Sequence, residues 1–169
     1  MELRRAQRPN LPFIGVEPAL KPAGALSKTG RIGVMATRGT LSSAKFRALL
    51  EAQTSLATFV VQPCDGLADA IERSAETGNT TKTIALCADS ISAMGRFGPH
   101  SGEIDTLVLG CTHYVFAQEH LARLLGSQVR ILSTGDPVAR HTRQLLDNAH
   151  GLNPIGPGIL QLIHPRSEA

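Results

Sequence analysis

The sequence predicts a doubly wound α/β fold: a mostly parallel sheet with helices on both faces, made of one lobe plus a partial second lobe. Three observations carry this expectation. Short aliphatic runs alternate with helical segments, the order that successive βαβ units produce. The strand-like runs are continuously apolar, as in sheets covered on both faces. Only 4% of the 169 residues are aromatic, with no Trp and one Tyr, so aliphatic side chains must fill the core. With 42% hydrophobic residues, the chain suffices for one globular domain or one plus part of another, and disorder is excluded over most of its length.

The elements follow in order. "LPFIGV" (11–16) reads as a short buried strand. "EPALKPAGALSKTG" follows, where Pro18 and Pro22 interrupt a helical pattern that ends at Gly30. "RIGVMA" (31–36) is a second strand. "TLSSAKFRALLEA" (40–52) is a helix that Thr40 or Ser42 would cap, with Phe46, Leu49 and Leu50 as its apolar stripe. "ATFVVQ" (57–62) is a third strand. "DGLADAIERSAE" (65–76) is a helix with Asp65 at its N-cap. "TIALCADSISAMGRF" (83–97) reads as a helix, and "GPHSGE" (98–103) as a loop. "DTLVLG" (105–110) is the clearest parallel-type strand. "VFAQEHLARLLG" (115–126) is a helix that Gly126 closes, "VRILS" (129–133) a strand, and "DPVARHTRQLLDNA" (136–149) a helix with Pro137 at its first position. The Gly/Pro-rich, then apolar tail after residue 150 suits an edge strand or a poorly ordered end.

Charge and cysteine content narrow the function. The formal net charge is +3, and the three Arg of "ELRRAQR" (2–8) have no basic run or interleaved aromatics after them. That balance argues against nucleic acid as the main partner and suits a small anionic substrate. Cys64, Cys87 and Cys111 are far apart and form no metal-ligand spacing, so no metal site is expected. An odd cysteine count argues against a disulfide framework and for the reducing cytosol. No apolar stretch approaches the about 18–20 residues that span a bilayer, and the N-terminus shows no signal-peptide pattern.

In doubly wound sheets, ligands sit beyond the carboxyl ends of the strands. "LVLGCTHY" (107–114) sets Cys111, Thr112 and His113 at such an end, where nearby backbone N–H groups favour a thiolate that can act as a proton acceptor. The bland alternative is a cysteine used as a small hydrophobe. Thr37, Arg38, Gly39 and Thr40 form a second strand-end loop, suited to a carboxylate or phosphate or simply to helix capping. "GRIGVMATRG" looks a little like a dinucleotide loop, but G-x-G-x-x-G is absent, so a Rossmann cofactor site is rejected. Glu72, on the helix after the third strand, could orient an imidazole or merely face solvent. His100, His120, His141, His150 and His164 receive no role.

"LVLGCTHY" resembles the second-cysteine motif of the glutamate racemases, in the aspartate/glutamate racemase superfamily. "IGVEPALKPA" (14–23), "GRIGVMATRGTLSS" (30–43) and "QPCDGLADAIE" (62–72) resemble three further segments of that family, in the right order. The resemblance covers about residues 12–148. It implies a cofactor-free isomerase that interconverts L- and D-glutamate for peptidoglycan, in the cytoplasm. Two cysteines on opposite faces of the substrate's α-carbon would remove and return the proton. The resemblance makes Cys111 the second of these cysteines. It makes Thr112 and His113 substrate contacts, with His113 also tuning the thiol. Thr40 becomes a substrate-holding hydroxyl, and Glu72 a carboxylate paired with the histidine.

The departures are as informative. The family's D-S-G-x-G-G loop, its P-Y-G segment and the C-N-T-A motif carrying the first cysteine have no counterpart in this sequence. Val115 stands where proline is usual, and "STGDPVAR" (133–140) departs from the family's wording. The expected organisation is therefore an extension (1–11), a racemase-type lobe carrying the second cysteine (12–130), and a segment returning to an incomplete other lobe (131–169). It implies weak activity alone and exposed apolar surface, covered by a missing N-terminal half or by self-association. Two alternatives stay open: a non-catalytic remnant or split-protein binding module, and a related racemase with another amino-acid-like substrate.

Overall fold

The computed structural model describes residues 14–149 continuously, and residues 7, 151, 152, 156, 159 and 161 besides. Its core is a sheet of four parallel strands, β1 (Arg31–Ala36), β2 (Thr58–Pro63), β3 (Thr106–Leu109) and β4 (Arg130–Leu132), in the order β2-β1-β3-β4. The helices are α1 (Leu20–Leu26), α2 (Arg38–Ser42), α3 (Ala44–Glu51), α4 (Leu67–Thr77), α5 (Thr81–Met94), α6 (Gln118–Leu125) and α7 (Gly135–Asn148). The doubly wound α/β expectation holds.

Alternation along the strands divides the core into two layers. Ile32, Val34 and Val108 pack with Leu20, Ala23 and Phe46 beneath α1 and α3. Met35, Leu107 and Leu109 pack with Leu67, Ile71, Cys87, Met94 and Leu121 beneath α4, α5 and α6. Every residue of β3 is buried, which is why the segment reads as one apolar run. At Gly33 the Met94 side chain of α5 fills the place a Cβ would take, with Met94 Cε 2.7 Å and Leu107 Cδ1 3.1 Å from that position.

Several sequence expectations need correction. Residues 14–16 form no strand, and residues 11–13 lie outside the described residues. Pro22 does not break α1, because it is the third residue of the helix, where no intrahelical N–H bond is lost. That helix ends at Leu26, not at Gly30. The expected helix over 40–52 is two helices, broken at Ser43. Thr37 Oγ1 accepts from Thr40 N–H and Ser43 Oγ accepts from Phe46 N–H, so Thr40 and Ser42 are not the caps. Asp65 does not cap α4; Gly66 takes that position, and the Asp65 carboxylate turns to Arg38. The run 114–117 is a 3₁₀ turn leading into α6. Gly126 closes α6 as expected, with φ +75, a conformation costly for any residue with a Cβ. Pro137 is the third residue of α7. The tail expectation, with His150 and His164, falls almost wholly outside the described residues.

The sheet's two sides differ at its end. β4 is an edge strand of three residues, and α7 buries none of its residues although Val138, Leu145 and Leu146 give it an apolar side. Among the described residues, no helix is long and apolar enough to cross a membrane.

Candidate active site

The chain runs from β1 outward to β2, then crosses to β3 on the other flank of β1. Strand order therefore reverses between β1 and β3, and the loops leaving their carboxyl ends diverge to open a crevice. After β1 come Thr37, which caps α2, and Thr40 in the first turn of α2; the loop after β3 holds Cys111, Thr112 and His113.

Gly110 makes this junction possible. Its N–H donates to Met35 O at 2.7 Å, pulling the end of β3 against β1. A Cβ on Gly110 would stand 3.0 Å from both the Ala36 Cβ and the Met35 O, so no larger residue fits without movement. The next residue, Cys111, is released at the crevice and is partly exposed.

Cys111 Sγ lies 3.8 Å from His113 Nδ1, and His113 Nε2 lies 2.8 Å from Glu72 Oε1. Thiol, imidazole and carboxylate thus form one line from the β3 loop to α4. With Nε2–H donated to Glu72, Nδ1 is the nitrogen left facing the thiol. The pattern i, i+2 at the strand end explains why one imidazole reaches the thiol. Glu72 comes from 41 residues earlier in the chain, so no local periodicity reveals the pairing.

Behind this line, Tyr114 is fully buried and donates its hydroxyl to Cys64 O at 3.2 Å, tying the β3 loop to the end of β2. Burial pushes the Tyr114 phenol well above its ordinary range. Burial also raises the Cys64 thiol, while hydrogen bonds, chiefly with Ser90, offset part of the rise. Cys87 is pushed up to about 11, first by burial and then by Cys64. Both are packing residues in one core layer.

Thr37 and Thr40 share a hydroxyl–hydroxyl hydrogen bond of 3.0 Å. Both residues belong to the strand-end segment 37–40 that the sequence marks, and Thr37 Oγ1 also accepts from the Thr40 N–H, which fixes the position of Thr40. Arg38 Nε donates to both Asp65 oxygens at 2.9 and 2.8 Å, an exposed pair that bridges the loops after β1 and β2. On the other side of Cys111 lies an open pocket of about 230 Å³. Cys111, Thr112, Ser133 and Thr134 line it with Val16, Val115 and Val138. Thr112 is exposed, and sequence reasoning gave no sign of the Ser133–Val138 wall. Among the described residues, no group of three or more His, Cys, Asp or Glu is placed to hold a metal ion.

The fold places the chain among α/β proteins with a helix-flanked parallel sheet, a class in which small-molecule sites lie at the carboxyl ends of the strands. Comparison with known proteins narrows that class. No family model matches. The glutamate racemase of Stutzerimonas stutzeri is 41% identical over 143 residues, which is 84% of this chain and 51% of that protein. The crystal structure of Escherichia coli glutamate racemase, in complex with L-glutamate and the activator UDP-MurNAc-Ala, superposes with a TM-score of 0.71. It is 28% identical and matches 84% of this chain and 52% of that one. A Bacillus anthracis glutamate racemase isoform gives a TM-score of 0.74 at 26% identity, over 91% and 56% of the two chains. Over the shared part the chain is a homologue of the glutamate racemases, which are isomerases. It spans about half the length of the curated relatives it matches.

Proposed function

We propose that the chain carries one side of a glutamate racemase site, with Cys111 as the group that exchanges the substrate's α-proton on one face. Racemisation needs an acid and a base on opposite faces of the same carbon, and one thiol serves one face. His113 receives the Cys111 proton at Nδ1 and returns it, while Glu72 holds the imidazole in the tautomer that this requires. Thr112 and the Thr37–Thr40 pair offer uncharged donors to the substrate's carboxylates. The line Cys111–His113–Glu72 carries this reading, together with the identity of about 41% to glutamate racemases and the L-glutamate bound in the Escherichia coli homologue. On the same reading the reaction needs no cofactor, serves peptidoglycan synthesis in the cytoplasm, and draws its second acid/base from outside the described residues. Residues 12–130 then act as one lobe and 131–169 return toward another.

The test is proton exchange at the α-carbon of L- and D-glutamate in D2O, followed by NMR, with D-glutamate assayed separately. The expected result for the chain alone is slow exchange without inversion at ordinary enzymatic rates, abolished in Cys111→Ser. Inversion should rise when a segment bearing the D-S-G-x-G-G and C-N-T-A motifs is supplied in trans. Full turnover by the chain alone, lost in Cys111→Ser, would refute the one-sided reading.

One observation favours an assembly role beside this. α7 leaves Val138, Leu145 and Leu146 incompletely covered at the β4 edge of the sheet, a surface suited to the complementary half or to a second copy. Sedimentation that stays monomeric at all concentrations, with and without the complementary segment, would remove it.

A further inference from the structure

The strand end after β3 holds the parts of a second chemistry, one that needs neither glutamate nor a second face. Cys111 Sγ is 3.8 Å from His113 Nδ1, and His113 Nε2 is 2.8 Å from Glu72 Oε1. A nucleophile, a base within reach of it, and a group orienting the base are the three parts of nucleophilic acyl transfer. A fourth part is an oxyanion donor. Among the described residues, no protein acceptor takes the backbone N–H groups of Thr112 and His113, which follow the thiol directly in the chain and are the groups assigned to that role. The fifth is a place for the acyl chain. The pocket of about 230 Å³ that Cys111 lines is walled by Val16, Val115 and Val138, whose side chains suit a short aliphatic group.

We propose that Cys111, His113 and Glu72 form a nucleophilic relay that takes a short aliphatic acyl group from a thioester or activated ester and passes it to water. His113 takes the Cys111 proton at Nδ1, and Sγ attacks the carbonyl carbon. The C–O π pair moves to oxygen, against the Thr112 and His113 N–H groups. The intermediate collapses, the bond to the leaving thiolate or alkoxide breaks, and the imidazolium returns its proton to that group. Water then attacks the S-acyl carbon with His113 as base; the C–S bond breaks, Cys111 recovers its proton, and the carboxylic acid leaves. Glu72 is a positioning residue throughout. The proposal uses the side chains of the racemase reading but does not rest on it.

The test uses the full chain with p-nitrophenyl butyrate and with the butyryl thioester of N-acetylcysteamine. The expected result is a burst of p-nitrophenolate stoichiometric with the chain, then steady turnover, with one butyryl group mapped to Cys111 after acid quench. His113→Gln should slow acylation by about 10²–10⁴-fold, the usual worth of a positioned general base. Glu72→Gln should lower kcat with little change in KM, and Glu72→Asp should restore much of it. Cys111→Ala should lose burst and turnover; where that variant fails to fold, peptide mapping of the unaltered chain decides. Three results overturn the proposal. They are butyryl on Cys64, Cys87 or a lysine; acylation of Cys111 no faster than that of N-acetylcysteine; and an acyl-enzyme that never turns over. None of these bears on the racemase reading, which proton exchange into glutamate tests by itself.

Discussion

Replacing Gly110 with alanine tests whether packing at the β1–β3 junction sets the position of the Cys111 thiol. The added methyl would sit 3.0 Å from Met35 O and Ala36 Cβ and 3.5 Å from Pro18 Cγ, where ordinary contacts begin at 3.4 Å. Something must yield by a few tenths of an ångström. Met35 and Ala36 are fully buried, and β1 is paired on both flanks, so they cannot. The Met35 carbonyl is also held by Gly110's own N–H at 2.7 Å. The segment that yields is therefore Gly110–Cys111 itself. Overpacking of this kind costs about 1–3 kcal/mol. For a chain of this size that lowers the melting temperature by about 2–12 °C. The same shift should change the rate at which iodoacetamide alkylates Cys111, because the thiol leaves its place beside His113. Gly39→Ala is the control: nothing lies within 4 Å of a Cβ there, so it should be neutral or stabilise α2 by up to about 1 kcal/mol. A Gly110→Ala protein that melts with the unaltered chain and is alkylated at the same rate would refute the reasoning.

Three further predictions concern the frame around the site. Asp105 accepts from Ser27 Oγ and Lys28 N–H at 2.6 Å and from Thr29 N–H and Thr106 Oγ1 at 3.0 Å. Burial pushes its carboxyl up, but these donors outweigh burial and hold it below the ordinary range. A depressed folded-state pKa adds stability above the unfolded value of about 3.9 and loses it as pH falls through the folded one. Asp105→Asn should therefore cost about 1–3 kcal/mol at neutral pH and flatten the acid limb of a melting-temperature profile, whereas an unchanged acid limb would contradict it. Tyr114→Phe should cost about 0.5–1.5 kcal/mol in urea titration by removing the shorter of the two donors to the Cys64 carbonyl and leaving it only the Leu67 N–H at 3.4 Å; no loss would mean that the 3.2 Å bond is idle. Iodoacetamide at neutral pH should label Cys111 well before Cys64 and Cys87, which are buried and raised, Cys87 to about 11; equal labelling of the three would break that order.

The four strands were legible from short apolar runs, β3 being the extreme case, but the same signal in "LPFIGV" misleads, since residues 14–16 form no strand. What sequence missed is local hydroxyl chemistry. In "TRGTLSS" any of several hydroxyls can cap, and only the end of β1 at Ala36 selects Thr37 for α2 and leaves Ser43 for α3. Asp65 looked like a cap because its type suits one; the Arg38 guanidinium competes for the same carboxylate and wins with two hydrogen bonds. Of the site, Cys111 and His113 were legible as neighbours at a strand end. Glu72 was legible from its place after β2 only as a carboxylate that could orient some imidazole, and the family resemblance named His113 as that imidazole, since its helix reaches the ring by tertiary packing. The Ser133–Val138 wall was not legible at all, because it borders Cys111 only through the pairing of β4 with β3.

The topology also bears on why a single thiol is found at this crevice. In a parallel sheet every strand sends its carboxyl end to the same side, so Cys111, Thr40 and the start of α4 all lie at one edge of the sheet. Cys64 ends β2 on that side too, but Tyr114 and the core layer beneath α4 and α5 close over it. The sheet thus delivers one accessible thiol with its imidazole and carboxylate, and the other two cysteines are buried. Inversion at carbon, on the proposed reading, depends on a group carried by a different surface. Acyl transfer, which needs one face only, does not. Measuring both reactions on the same preparation therefore separates what the sheet supplies from what must come from beyond it.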